Sequence, residues 1–434
     1  MDERRLTKLD WTCDPFDVVA AWPADRPLMM LHSGRGHPRW GRRTIIASPR
    51  EIVTVGDDPE AALGRLGEGG FIGYLGYGLG RHFEPSAMAS RPDDRGWPLG
   101  AFGWCPDALH FDSRDRSWYG PPGHFSEPAA GGSPLGSFTT GALHSSVTPD
   151  AYMGAVARTI EYISAGDIFQ ANLTRRLTAS FEGSTRRLCV EAMMLSGAWY
   201  GAYLELPDGR CLLSLSPELF LDAEAGTRRV VTRPVKGTRP ASVPDAELLA
   251  SSKDAAELHM IVDLMRNDLG RVCEFGTVRV PAARTIETHP TVHHGVGEVT
   301  GRLRADVTLG DLLRATFPAG SVTGAPKIRA MQIIDELEPV TRGPYCGAVG
   351  FIGAGGRAVL NVAIRTLVLT GERPEGRWDQ LVGVLDYGVG GGIVADSDPA
   401  AEYQETVDKA EILRQTCAAG TRPARRTERA AVSR

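Results

Sequence analysis

Short apolar runs broken by turn residues fill the first quarter of the chain. PLMMLHS (Pro27–Ser33), TIIAS (Thr44–Ser48), EIVTV (Glu51–Val55) and the glycine-punctuated GGFIGYLGYGLGRHFE (Gly69–Glu84) are of this kind. Runs of that length between Gly, Pro and Ser predict strands, so residues from about 16 to 112 read as antiparallel sheet. From Pro149 onward helical and strand periods alternate. A helix is predicted over Pro149–Asp167, a strand pair around the turn Pro207–Gly209, and a second helix over Asp254–Gly270. In the second helix Leu258, Ile261, Val262, Met265 and Leu269 form one apolar stripe at helical spacing. A hairpin is predicted over Gly347–Leu369, and a last helix over Ser397–Leu413 with Asp398 as N-cap and Pro399 at its first position.

Between these regions, Tyr119 to Pro149 is rich in Pro, Gly and Ser and lacks apolar periodicity, which predicts a surface connection. The chain therefore divides into an N-terminal segment (1–118), a connection (119–148), a second segment (149–417) and a basic, polar tail (418–434) expected to be disordered. No repeat is evident, and α+β with mixed or antiparallel sheets is the fold class that fits.

At 434 residues the chain can bury roughly three quarters of its unfolded surface, so core size does not limit it. A formal net charge of −5 gives no nucleic-acid footprint, which points to small-molecule or protein partners. The seven cysteines are scattered without a C-x-x-C pair, which argues against a disulfide framework or zinc site and fits a reducing cytoplasm. No apolar signal core and no membrane-length apolar run is present, so neither export nor membrane insertion is expected.

Several clusters could carry chemistry. Asp254 and Glu257 stand three apart on one predicted helix, and Glu402 and Glu405 three apart on another. Each pair shares a helix face, and four carboxylates so gathered would suit Mg²⁺; two solvated faces, with Glu405 pairing Lys409, fit the spacing equally. YGVGGGIVA (Tyr387–Ala395) could turn glycine amides toward an anion beside the last helix, or simply make a tight turn. Arg365 lies in an apolar stretch read as strand, where it needs either an anionic ligand or an internal salt bridge. FPAGSVTGAPK (Phe317–Lys327) could bind a polar ligand or cap the helix after it. His294 could be an acid or a donor, with His293 exposed beside it. Lys236, framed by Pro234, Gly237 and Pro240, reads as a fixed amine or a surface lysine.

Taken in order, GDIFQANLTRRL, SLSPELF, RPVKGTRP, KDAAELHMIVDLMRNDLGRV, FPAGSVTGAPK, NVAIRT and GGGIVADSDPAAEYQET resemble the chorismate-utilising enzymes, and most closely their aminodeoxychorismate synthase component I branch. The resemblance implies an anthranilate synthase component I-like fold, two large, mostly antiparallel sheets packed together with helices outside. It implies Mg²⁺-dependent, aminotransferase-type amination of chorismate at C4, giving 4-amino-4-deoxychorismate, the precursor of p-aminobenzoate for folate or specialised metabolism. Ammonia would come from a glutaminase partner. Anthranilate synthase component I is the alternative. In this scheme Lys236 adds to C2, Glu218 protonates the leaving hydroxyl, and Glu257 and Glu405 ligate Mg²⁺ with Asp254 and Glu402 in support. Arg365, Tyr345 and the Gly390, Gly391 and Gly392 amides hold the enolpyruvyl carboxylate, Thr323, Gln170 and Lys409 contact substrate, and His294 contacts it in a catalytic role. Gln170 stands where water-using relatives carry a lysine base, and a glutamine cannot take that proton. Ala171 and Gly295 replace bulkier residues of relatives, Asp254 a glutamate of the anthranilate type, and Ser33 falls where tryptophan-binding relatives place a serine.

Overall fold

The computed structural model describes residues 6–34, 40–56, 58–89, 91–128, 135–288 and 292–420; the tail expected to be disordered lies, beyond Gly420, outside the described residues. Among these, strands form two sheets, one of thirteen and one of ten, and every pairing is antiparallel. The expected fold class holds.

Among the described residues, the three largest apolar cores follow from the layering. Met29, Ile72, Tyr74, Leu204, Leu212, Val349 and Val368 meet between the sheets. The stripe Leu258, Ile261, Val262, Met265 and Leu269 packs the helix Ser252–Gly270 against the outside of the ten-stranded sheet. The helix Thr185–Ser196 covers the thirteen-stranded sheet in the same way. An amphipathic helix has one face to bury, and each outer sheet face offers the surface for it. No helix among the described residues is long and apolar enough to cross a membrane.

The N-terminal strands are inserted among the later ones. Met29–His32 pairs with Tyr200–Leu206, and Phe71–Leu75 with Ala348–Ile352. In the connection 119–148, Phe138–Thr140 and His144–Ser145 add as short strands to Gln170–Ser184. Two of the chain's passages between the sheets lie near one another: at Pro217–Glu218, from Arg210–Ser216 to Leu219–Ala223, and at 363–365, from Ala358–Val362 to Thr366–Glu372.

Three local expectations change. The last helix ends at Lys409 and a new one, Glu411–Gly420, begins after Ala410. Arg365 is in the crossover, at φ +49°, rather than within a strand. YGVGGGIVA is neither loop nor turn: Gly388, Gly390, Gly391 and Gly392 belong to the strand Gln380–Ile393, and none has positive φ.

Candidate active site

Glu218 is placed by the first crossover. The Ser216 hydroxyl donates to the Val362 carbonyl (2.6 Å) and accepts from the Glu218 amide (3.1 Å), which fixes the backbone where it changes sheets. The Glu218 side chain is buried and accepts a 2.5 Å hydrogen bond from the Ser321 hydroxyl at Oε1. Burial pushes its pKa up to about 7, against the opposing pull of Ser321, Lys236 and the Val235 amide.

Lys236 is aimed by a bulge. In Val235–Pro240 the register against Val292–Arg302 shifts between Lys236 and Thr238, and the intervening Gly237 sits at φ +78°. A methyl on Gly237 would lie 2.8 Å from Leu248 and 2.9 Å from Asp254, so the bulge is closed to other residues. Burial lowers the pKa of the Lys236 amine; Glu257 opposes that shift, the Lys409 charge adds to it, and Glu218 and Glu405 oppose it further. Opposite Lys236, a side chain on Gly295 would come within 2.5 Å of the Lys236 carbonyl, so the bulkier residue of relatives does not fit without moving the strand.

The glycines of Gln380–Ile393 make room for the groups around them. A methyl on Gly392 would strike both Gln170 Nε2 (2.3 Å) and Lys236 Nζ (2.9 Å). One on Gly391 would meet Glu402 (3.0 Å) and Glu405 (3.7 Å), and one on Gly388 the Tyr345 ring (2.2 Å). Gln170–Ser184 pairs with this strand up to Ile393, whereas Thr366–Glu372 stops at Tyr387, so that among the described residues no strand covers the other edge of Gly388–Gly392. At the helix that follows, the Asp398 side chain accepts from the Ala401 amide and so supplies the N-cap expected from sequence.

The carboxylates gather unequally. Glu257 has a raised pKa from burial, eased by Lys236 and Lys253 and reinforced by Asp254 and Glu405. Glu402 is raised by burial and accepts from Ser397 (2.7 Å). Burial acts upward on Glu405 too, but Lys409, 2.6 Å away, holds it below the usual carboxylate range. Lys409 also donates to the Gly390 carbonyl (2.7 Å). Asp254 is turned onto Arg239 at 2.8 Å, which ties the helix bearing Glu257 to the strand bearing Lys236. Among the described residues no three acidic, histidine or cysteine side chains converge as a preformed metal cage. Two carboxylates facing the open Gly391 and a third, partly buried, suit Mg²⁺, which takes one or two protein carboxylates and completes its shell with water and substrate.

Arg365 has no carboxylate partner among the described residues, so the salt bridge considered for it is not found there; burial lowers its pKa, with Tyr387 opposing. Tyr345 is buried against Gly388. Thr323 donates its hydroxyl to the Ala319 carbonyl (3.0 Å) and accepts from the Asn172 amide through its own carbonyl (2.8 Å), so it braces its loop. That loop does not cap the helix Lys327–Leu337, whose N-cap is Pro326 without a side-chain bond. His294 is buried with Nδ1 2.9 Å from the Thr238 hydroxyl. His293 is buried too, between Thr288 and the Val243 carbonyl, and not exposed. The Gln170 carboxamide is fully buried with neither atom hydrogen-bonded among the described residues. Ser33 donates to the Arg43 carbonyl (2.6 Å). Ser321 was not among the residues expected from sequence.

A buried acid of raised pKa and an amine of lowered pKa therefore face each other, with Glu257 and Glu405 close enough to act on the amine. The chorismate binding enzyme family matches residues 32–415. Aminodeoxychorismate synthase component 1 of Klebsiella aerogenes is 38% identical, covering 92% of this chain and 90% of its own length. Anthranilate synthase component 1 of Streptomyces coelicolor is 39% identical, covering 80% and 72%. The crystal structure of anthranilate synthase component I from Streptococcus pneumoniae superposes with a TM-score of 0.73 at 28% identity, over 88% of this chain and 93% of that one. Match, relatives and superposition all span the strands and helices that carry the site, and the chain belongs to the chorismate binding enzymes.

Proposed function

We propose that the enzyme aminates chorismate at C4 to 4-amino-4-deoxychorismate, as the component I partner of a glutaminase that supplies ammonia. The observation that carries this reading is Lys236, an amine whose pKa burial lowers, in the same enclosure as Glu218. An amine attacks only when unprotonated, and a hydroxyl leaves only when protonated. Lys236 Nζ forms a bond to C2 while the ring double bond shifts and the C4–O bond breaks, the hydroxyl departing as water with the Glu218 proton. Ammonia then bonds to C4, the double bond shifts back, and the C2–Nζ bond breaks to free Lys236.

Arg365, lacking a described carboxylate partner, suits the enolpyruvyl carboxylate, with Tyr345 and Gly390–Gly392 beside it. His294, Thr323 and Lys409 frame the ring. Gln170 cannot activate water, which leaves ammonia as the nucleophile. Glu257 and Glu405, with Glu402 in support, would hold Mg²⁺, which supplies positive charge for the ring carboxylate; Asp254, held by Arg239, supports it less directly.

The relatives named for anthranilate synthesis motivate the second reading, amination at C2. Incubation with chorismate, Mg²⁺ and ammonium should yield 4-amino-4-deoxychorismate, and anthranilate as sole product would overturn the assignment. Lys236→Ala should abolish C4 amination; unchanged turnover would remove the covalent step.

A further inference from the structure

Ser321 lies in the single turn Gly320–Val322 and is 6% exposed. Among the described residues it makes the one side-chain hydrogen bond to the Glu218 carboxyl, to Oε1 at 2.5 Å. The loop that presents it is braced from several elements. Arg342 donates to the Val322 carbonyl (2.7 Å), the Phe169 amide to the Ala325 carbonyl (2.7 Å), and Lys327 to both the Thr316 carbonyl (2.8 Å) and Asp268 (2.7 Å). A serine that only filled space would need no such bracing, and this one spends its hydroxyl on neither its own loop nor a helix end.

We propose that Ser321 is a positioning residue for the acid: by donating to Oε1 it fixes the plane of the Glu218 carboxyl and leaves Oε2 to carry the proton given to the leaving hydroxyl. The oxygen that accepts a strong O–H bond is the poorer place for the acid's own proton, so the two oxygens are no longer equivalent. The assignment rests on Glu218 being the acid of the reaction proposed above. Among the described residues few other groups face this carboxyl: Lys236 and the Val235 amide on the strand Val235–Pro240, and the Cys346 thiol, which burial pushes up to about 12 and keeps neutral.

The test compares Ser321→Ala and Ser321→Thr with the wild type. kcat/KM for chorismate with Mg²⁺ and ammonium is taken as a ratio to wild type at each pH, so that free ammonia cancels. Ser321→Ala should lose about 10- to 100-fold at pH 6, and its alkaline limb should move to higher pH, because a donor that favours the carboxylate has gone. Ser321→Thr, which keeps the hydroxyl, should keep the wild-type limb. The infrared C=O band of the protonated acid, identified by its loss in Glu218→Gln, reads the same titration without turnover and should move up in Ser321→Ala. An unshifted band with a uniform fall in activity would reduce Ser321 to a structural role, and a downward shift would mean that the acid donates to the serine; either overturns the proposal. Failure of the wild type to make 4-amino-4-deoxychorismate would instead overturn the reaction, whatever the band does.

Discussion

Burial moves Glu218 up and Lys236 down, so both are driven toward their neutral forms, the forms that the proposed chemistry needs. The shift in Glu218 is also a statement about stability. Its folded pKa, about 7, exceeds the reference of 4.5, so the acid stabilises the fold fully below pH 4.5 and that contribution is lost as pH rises through 7. The span corresponds to about 3 kcal/mol. Glu218→Gln should therefore be more stable than the wild type at pH 8 and lose that advantage at pH 4, while chorismate turnover falls about 10²–10⁴-fold; denaturant unfolding at the two pH values reads the first part, and equal stability differences at both would contradict the shift. Glu218 and Lys236 are legible in sequence because each sits in a distinctive local string. Ser321 is not, because its role depends on a partner 103 residues away and a serine among glycines and prolines has no period to betray it.

At the scale of elements, the framing of Lys236 has a different cause from the one its prolines suggest. Gly237 turns the strand: its positive φ makes the bulge, and the space for a Cβ is filled by Leu248 and Asp254. Gly237→Ala should cost about 1–3 kcal/mol, since a non-glycine residue is strained there. It should also reduce kcat/KM at temperatures where the protein remains folded, because Lys236 is re-aimed; retained activity together with retained stability would show that the bulge does not direct the amine. Elements defined by adjacent residues are the ones that sequence reveals. The Asp398 cap, the Pro399 start and the stripe of Ser252–Gly270 are all local signals. The strand Gln380–Ile393 is hidden for the converse reason. Its glycines oppose strand propensity, and groups such as Tyr345, Thr174, Gln170 and Lys236, all distant in sequence, explain why side chains are excluded there.

The whole molecule places the site where the chain twice crosses between sheets, so the catalytic segment depends on strands from the other end of the sequence. Their order in the sheets is a long-range fact that alternation along the chain cannot supply. Phe71–Leu75 pairs with Ala348–Ile352, whose other neighbour Ala358–Val362 leads into the second crossover, and Met29–His32 covers the edge of Tyr200–Leu206. Met29, Ile72 and Tyr74 fill the core between the sheets against Leu204, Leu212 and Val349. Each large apolar side chain withdrawn from that core costs about 1.5–3 kcal/mol, and three already approach the roughly 5–15 kcal/mol by which a domain is stable. A fragment of residues 149–420 should therefore show no cooperative unfolding transition and no chorismate turnover, although it carries every residue assigned to the chemistry. Addition of residues 1–148 as a separate chain should restore both, since what the fragment lacks is sheet pairing and core. A fragment that folds and turns over alone would mean that the crossovers hold Glu218 and Arg365 without the N-terminal strands.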